Sequence, residues 1–139
     1  MDKIQRQREH FNSVADRYKS ARSGANHLLL KSLIWSNFLD RHDELKKDGL
    51  NVLEAMCGFG DGKSILETTL GITTNYSGFD YSDEVVESLK EEQPDIKVFH
   101  ADAGTVELTE QYDVIILLGG LHHVPHIAEQ VVQRLSKAI

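Results

Sequence analysis

Hydrophobic residues follow two different spacings along this chain, and each change of spacing marks a predicted element. Apolar side chains at positions 11, 14, 15 and 18 share one helical face, which predicts a first helix that packs by a single stripe. Ser23 and Gly24 end that helix, and residues 25–42 form a second helix with a broad apolar face. We expect a face of this width to pack against a sheet.

Beyond the charged turn at residues 41–49, short apolar runs alternate with amphipathic segments. The continuous apolar run at 112–118 is typical of a parallel strand covered on both faces, so we expect it to be central. Alternating strands and helices predict a doubly wound α/β sheet, in which ligands bind at the carboxyl ends of the strands. Strands are predicted from residue 51 and at 75–80, 96–100 and 112–118, and helices at 63–70, after Ser82 and from Pro125.

Composition narrows the class of protein and its partners. A chain of 139 residues is long enough to bury a core as a single domain. Its net charge of −7 opposes a surface that follows phosphates, so we expect no nucleic-acid partner. No apolar run approaches the roughly 20 residues of a membrane span, so we expect no membrane partner. The lone cysteine, Cys57, and the absence of an apolar leader indicate a reducing, cytoplasmic setting.

The stretch at residues 51–62 joins an apolar strand to a loop that contains Gly58, Gly60 and Gly62. Such a loop lets the backbone approach a ligand closely, and the helix that follows directs its unpaired N–H groups toward that ligand. The pattern predicts a nucleotide-type site.

Two common nucleotide motifs each fit this loop imperfectly. The dinucleotide pattern G-x-G-x-x-G fails by one residue, because Lys63 stands at its last glycine. The P-loop pattern fits residues 57–64 except for Cys57 at its first position. Against the P-loop, Asp61 would place a carboxylate among phosphates, and strand 112–118 ends without a metal-holding aspartate. A P-loop-like nucleotide binder at 57–64 stays an alternative.

Acidic residues accompany three successive strands. Glu54 lies in the first strand, Asp80 ends the second and Asp102 follows the third. Asp80 stands at the distance from the glycine loop where a ribose diol is bound in these folds. A ligand with a cationic centre and no phosphates suits such a site better than a pyrophosphate does.

Four segments, in order, resemble the motifs of class I S-adenosylmethionine-dependent methyltransferases of the small-molecule type. Residues 52–60 are similar to the first motif and 78–82 to the ribose-binding motif, while 101–103 resemble the adenine-edge motif and 112–125 the fourth strand with its exit loop. The resemblance covers about residues 10–139. It implies a Rossmann-like, mainly parallel sheet in strand order 3-2-1-4 with helices on both faces, cut short after the helix that follows strand 4.

The resemblance also implies roles for individual residues, with S-adenosylmethionine as cofactor. Glu54 and the backbone around Gly58 would hold its amino-acid end, and Asp80 would take the ribose hydroxyls. An N-terminal helical cap at about 1–42 would close over the cofactor carboxylate. The complete set of implied cofactor-binding residues is Tyr18, Arg22, Glu54, Ala55, Gly58, Asp80, Tyr81, Asp102, Ala103 and Leu118.

Within that set, three residues would hold the adenine. Tyr81 would lie against the ring, Asp102 would accept from its amino group, and the Ala103 N–H would meet its edge. The implied activity is methyl transfer to an oxygen or nitrogen of a small-molecule acceptor. Methylation of DNA amino groups is disfavoured, because residues 119–122 lack the Asn/Asp-Pro-Pro-aromatic signature of that subgroup.

Two adjacent histidines are the candidates for the general base. His122 and His123 follow the fourth strand, where a base would reach the acceptor. The alternative is that one caps a helix from Pro125 and the other is exposed. We expect no metal, since no carboxylate or cysteine follows these residues and His126 at ligand spacing.

The chain departs from the family at two places. Met56 stands at the family's first glycine, and a positive φ there would cost roughly 1–2 kcal/mol. The family also continues beyond the last helix, whereas this chain stops at Ile139, which would leave 114–118 as an uncovered edge. A homodimer or a missing C-terminal segment would cover that edge. The alternative function is a non-catalytic or truncated cofactor-binding module.

Overall fold

The computed structural model describes residues 2–22 and 24–139, with the backbone alone at residues 11, 14–22, 25 and 28. The four strands of these residues are β1 (Leu50–Ala55), β2 (Thr74–Asp80), β3 (Lys97–His100) and β4 (Val114–Ile116). The helices are α1 (Lys3–Arg22), α2 (Ala25–Leu39), α3 (Asp61–Leu70), α4 (Asp83–Glu92) and α5 (Ala128–Ser136), with 3-10 turns at Asp43–Leu45 and Leu121–His123. Among the described helices, none has the length and apolar character to cross a membrane.

The strands form one parallel sheet in the order β3-β2-β1-β4. This order and the helices around the sheet confirm the predicted Rossmann-like architecture. Successive β1 side chains point to opposite faces, so Val52 belongs to a cluster with α2 and α3, whereas Leu53 belongs to a cluster with α5. Both β1 side chains are fully buried. The core therefore lies in two layers with the sheet between them.

The prediction of a central strand at 112–118 is wrong for the described residues. β4 is shorter, covers only Val114–Ile116, and pairs with β1 alone. Ile115 and Leu117 nevertheless pack against one apolar cluster, and Val114, Ile116 and Leu118 pack against the other. The continuous apolar run therefore indicates that both faces of β4 are covered. It does not indicate whether another strand pairs with the outer edge of β4.

The second helix ends at Leu39, three residues before the predicted end, and packs mainly against α3. Lys31 Nζ lies 2.8 Å from Asp61 Oδ2, which joins the two helices. Leu39 reaches the core and Trp35 packs against the same apolar cluster, but much of the predicted face is exposed. More than half of each of five large apolar α2 side chains is exposed, namely Leu29, Leu30, Leu33, Ile34 and Phe38.

The predictions for three other helices have different outcomes. The last helix begins at Ala128 instead of Pro125, and the carbonyl of Ile127 accepts its first bond, from Val131 N at 3.0 Å. The apolar stripe predicted for the first helix involves side chains outside the described residues. The helix after β2 begins as expected, because Ser82 Oγ accepts from Val85 N at its N-terminus.

Candidate functional site

A cavity lies at the carboxyl ends of the strands, between the glycine loop, the loops after β2, β3 and β4, and the start of α1. The glycine loop borders it through Gly58, and the end of β4 borders it through Leu118. The other predicted residues that line it are Asp80, Tyr81, Asp102, Ala103, His122 and His123. The parallel sheet thus brings together residues far apart in sequence.

Two predicted cofactor-binding residues do not line the cavity, and two others have side chains outside the described residues. Glu54 and Ala55 are buried within the sheet and do not line the cavity. Tyr18 and Arg22 lie on α1, but their side chains fall outside the described residues. Their predicted contact with the cofactor carboxylate therefore stays a prediction.

The glycine loop turns sharply because three of its residues have positive φ. These are Met56, with φ of 54°, Gly58 at 51° and Gly60 at 78°. Glycine adopts this conformation without strain, whereas Met56 is strained by roughly 1–2 kcal/mol. The positive φ considered for Met56 is thus present. The Cys57 N–H donates to the Phe79 carbonyl at 2.8 Å, and this bond holds the base of the loop on β2.

Asp80 ties the glycine loop to the start of α4. Its Oδ2 accepts from Gly58 N and its Oδ1 from Ser82 N, both at 2.9 Å. Burial raises the pKa of Asp80, against those backbone hydrogen bonds, which lower it. Each carboxylate oxygen has a second lone pair, so the group is able to accept further bonds from a ligand in the cavity.

Asp102 and Ala103 form the part of the site that follows β3. Asp102 Oδ1 accepts from Gly104 N at 2.7 Å, and the Asp102 carbonyl accepts from Thr105 N at 3.1 Å and Val106 N at 2.8 Å. These bonds hold a tight turn and orient the carboxylate. The turn presents Asp102 and the buried Ala103 to the cavity.

Glu54, a buried residue of β1, holds the glycine loop in place through a hydrogen bond. It is 2% exposed, and its Oε1 accepts from Gly62 N at 3.0 Å while its Oε2 accepts from Tyr76 Oη–H at 2.6 Å. Burial raises its pKa to about 7, although both hydrogen bonds lower it. Gly62 is required here, because a Cβ would lie 2.7 Å from the Glu54 carboxyl carbon. Tyr76 was missed by sequence reasoning, although a tyrosine in a buried strand usually has a polar partner.

The same contacts argue against the P-loop alternative. The Gly62 amide, which would bind phosphate, donates to Glu54 instead. Lys63 Nζ lies 2.8 Å from Glu67 Oε2, and Asp61 is paired with Lys31. The Gly62 amide and the Lys63 ammonium group are therefore already paired within the protein.

A polar latch joins α1 to the start of α4. Arg8 donates to both Asp83 oxygens, at 3.3 and 2.9 Å, and Asn12 Nδ2 donates to Asp83 Oδ1 at 3.0 Å. Ser82 Oγ donates to Asn12 Oδ1. The bonds from Arg8 and Asn12 hold the pKa of Asp83 below its usual range. The Arg8 guanidinium carbon also lies 5.6 Å from the Tyr81 ring centroid, so the latch covers the cavity.

Breaking this latch should release α1 without unfolding the domain. We expect Arg8→Gln to speed hydrogen exchange in residues 3–12, because this partly exposed ion pair adds little to global stability but orients the helix. Melting temperature should change by less than about 2 °C. Lys90→Gln, which removes an exposed Lys90–Glu87 pair on α4, is the matched control. Equal exchange in Arg8→Gln and Lys90→Gln would contradict the latch.

The two histidines lie on the turn Leu121–His123, with ring centroids 3.8 Å apart. His122 is exposed and His123 is half-buried. Burial lowers the pKa of His123, and the nearby His122 and His10 lower it further. The lowered pKa favours the neutral imidazole, which is the form that accepts a proton. Neither histidine caps α5, because Ile127 occupies that position. Within the described residues, no group of three or more potential ligands is arranged to hold a metal.

Residues 52–139 match a family model described as a methyltransferase domain. The chain belongs to this family. Membership confirms the class I S-adenosylmethionine-dependent methyltransferase resemblance inferred from the four motifs.

One curated relative matches part of this chain. The demethylmenaquinone methyltransferase of Staphylococcus aureus (strain MRSA252) is 29% identical over 83 residues, which are 57% of this chain and 34% of the relative. The chain therefore spans about a third of the curated relative that it matches.

Solved structures share the fold. The magnesium protoporphyrin IX methyltransferase of Synechocystis PCC 6803, solved with bound SAH, aligns with a TM-score of 0.74 at 21% identity, covering 96% of this chain and 67% of that one. The sugar N-methyltransferase of Streptoalloteichus sp ATCC 53650 aligns with a TM-score of 0.65 at 13% identity, covering 89% of this chain and 48% of that one. At these identities the likeness shows the fold alone.

Proposed function

We propose that this protein binds S-adenosylmethionine in the cavity and transfers its methyl group to an oxygen or nitrogen of a small-molecule acceptor. The observation that carries the proposal is the charge of the cavity wall. Asp80 and Asp102 both line it, while its cation Arg8 is paired with Asp83. Such a wall favours a sulfonium cation and disfavours a ligand rich in phosphates.

Each wall of the cavity has a proposed role. Asp80 accepts bonds from the ribose hydroxyls, and Asp102 accepts from the adenine amino group. Tyr81 lies against the adenine ring, and the Ala103 N–H donates to its edge. Glu54 contributes indirectly, because its contact with Gly62 shapes the loop.

Methyl transfer requires an in-line approach of the acceptor to the methyl carbon. When bound, the cofactor supplies a methyl group on a positively charged sulfur; the sulfur–carbon bond would break as the new bond to oxygen or nitrogen forms, and the sulfur would become a neutral thioether. Holding the reactants in line contributes on the order of 7–11 kcal/mol. The acceptor's proton passes to His123, which lines the cavity and has a lowered pKa.

Removing this base should slow turnover more than it weakens binding. We expect His123→Ala to lower kcat by about 10²–10⁴-fold and to remove the acidic limb of the kcat/KM profile, which reports protonation of the base. His122→Ala, which alters the exposed neighbour, should have a smaller effect. Steady-state kinetics across pH measure both. Equal losses in the two variants would exclude His123 as the specific base.

The cofactor proposal is tested first by thermal stabilisation. S-adenosylhomocysteine at a hundred times its Kd should stabilise the protein by about 2.7 kcal/mol, which raises Tm by several degrees. NAD and ATP serve as controls for the dinucleotide and P-loop alternatives. Transfer of labelled methyl to hydroxyl-bearing or amine-bearing acceptors then tests the activity. Stabilisation by NAD or ATP but not by S-adenosylhomocysteine would contradict the proposal.

A non-catalytic or incomplete module is the second candidate, because β4 has one partner among the described strands and α2 exposes apolar side chains. We infer that a second copy or a further C-terminal segment covers these surfaces. A lone, buried Cys57 also supports a reducing cytoplasmic setting.

Self-association is the testable form of this second candidate. If a second copy covers α2, Leu33→Asp should shift the mass measured by light scattering from dimer toward monomer, because it places a charge on an apolar surface. Asn37→Asp, with the same charge change on the same helix, should leave the mass unchanged. A monomer at every concentration would exclude the second copy and favour a further segment.

A further inference from the structure

Met56 is the one non-glycine residue, among residues 2–22 and 24–139, with a positive φ. It directly follows β1, and its side chain lines the cavity. The glycines at 58 and 60 adopt the same conformation without strain, because they carry no side chain. A strained residue in the wall of a functional cavity points to a role for its side chain.

The Met56 side chain packs tightly against Gly120, in the loop after β4. A Cβ atom at Gly120 would lie 2.7 Å from Met56 Sδ and 2.9 Å from Met56 Cβ, closer than real side chains approach. Gly120 is itself buried, so little space is available for the two residues to separate. The glycine loop and the loop after β4 are therefore interlocked at this contact.

Gly120 is also the residue on which the histidine turn begins. It caps the turn Leu121–His123, and its carbonyl accepts from His123 N at 3.1 Å. A displacement of Gly120 therefore moves His123, whose side chain lines the same cavity.

We propose that Met56 is a positioning residue for methyl transfer, because its thioether presses on Gly120 and so places His122 and His123 at the cavity. The inference rests on the proposed function. A glycine at position 56 would relax the backbone, but Gly120 would lose the side chain against which it packs. The strained backbone at Met56 thus keeps its side chain against Gly120, and this contact places His123.

The imidazole proton resonances of His122 and His123 test this placement directly. Over a pH titration of the full chain, we expect Met56→Gly to shift the resonances of both rings. The pKa of His123 should move up toward its ordinary value, because its ring becomes less buried while His122 and His10, the titratable groups that face it, are unchanged. Met56→Leu, with a side chain of similar volume, should retain the original titration. Unchanged resonances in Met56→Gly would overturn the proposal.

A double-mutant cycle tests the contact with Gly120. Gly120→Ala should lower Tm in the otherwise unaltered protein and lower it less in Met56→Gly, where the added methyl group has space. If the Tm changes of the two single variants add up to that of the double variant, the proposed contact between Met56 and Gly120 is overturned.

Turnover separates positioning from cofactor binding. Met56→Gly should lower kcat, measured at saturating cofactor, roughly tenfold or more. An unchanged kcat would overturn the positioning role. If the unaltered protein binds no S-adenosylhomocysteine, the proposed function fails, and the resonance shifts still decide whether Met56 places the histidines.

Discussion

Replacing Asp80 with alanine is expected to weaken the binding of S-adenosylhomocysteine by at least about a hundredfold. The proposed ribose contacts are two hydrogen bonds to an ionised group, each worth about 1.5–3 kcal/mol. The substitution also removes the acceptor of Gly58 N and Ser82 N, so the glycine loop loses its tie to α4. Calorimetric titration of the folded variant measures the change.

Two variants separate ligand contact from loop support. Asp80→Asn keeps the shape and one acceptor, so its affinity should lie between those of the unaltered protein and Asp80→Ala. Asp113→Ala removes a carboxylate that accepts from Asn51 N at 2.8 Å, at the opposite end of β1. That control should lose stability but keep its affinity. An unchanged Kd in Asp80→Ala would exclude Asp80 from the ribose site.

Glu54→Gln is expected to change how stability depends on pH. The folded pKa of about 7 lies above the ordinary value of 4.5, so the folded protein binds more protons than the unfolded chain between these values. Stability from Glu54 is therefore fully present below pH 4.5 and is lost as pH rises through about 7. The loss is roughly 3 kcal/mol, or about 10 °C in Tm.

The Gln variant lacks this titration but keeps the size of the side chain. Its stability relative to the unaltered protein should therefore increase from pH 5 to pH 8, by roughly 2.5 kcal/mol. Other groups with shifted pKa values, such as Asp80 and Asp83, are present in both proteins and cancel in the difference. Urea unfolding at a series of pH values measures it. A difference that is constant with pH would show that Glu54 stays ionised in the fold.

The place of the cavity was predictable because short sequence features determine it, whereas the strand order was implied by the family resemblance. The glycines after β1 and the carboxylates after β2 and β3 lie within a few residues of their strand ends. Parallel strands place all of these ends at one edge of the sheet. Asp80, Asp102 and the histidine turn therefore line one cavity.

Features that depend on contacts between distant residues were not predictable. Arg8 and Asp83 are 75 positions apart, and Tyr76 and Glu54 are 22 apart, so no local spacing identifies either pair. Glu54 has the position of a ligand-binding acid in the motif, and only its burial reveals that its oxygens already bind within the fold. The apolar pattern at 112–118 could not show that β4 lies at the edge, since such a pattern depends on covered faces and not on strand partners. The family resemblance did imply the edge, through the strand order 3-2-1-4.

Calorimetric titration of the unaltered chain with S-adenosylhomocysteine tests the central claim most directly. The proposed site predicts saturable heat with one ligand per chain, competition by S-adenosylmethionine, and no comparable heat with NAD or ATP. Absence of heat with S-adenosylhomocysteine from a folded chain would contradict cofactor binding in this cavity.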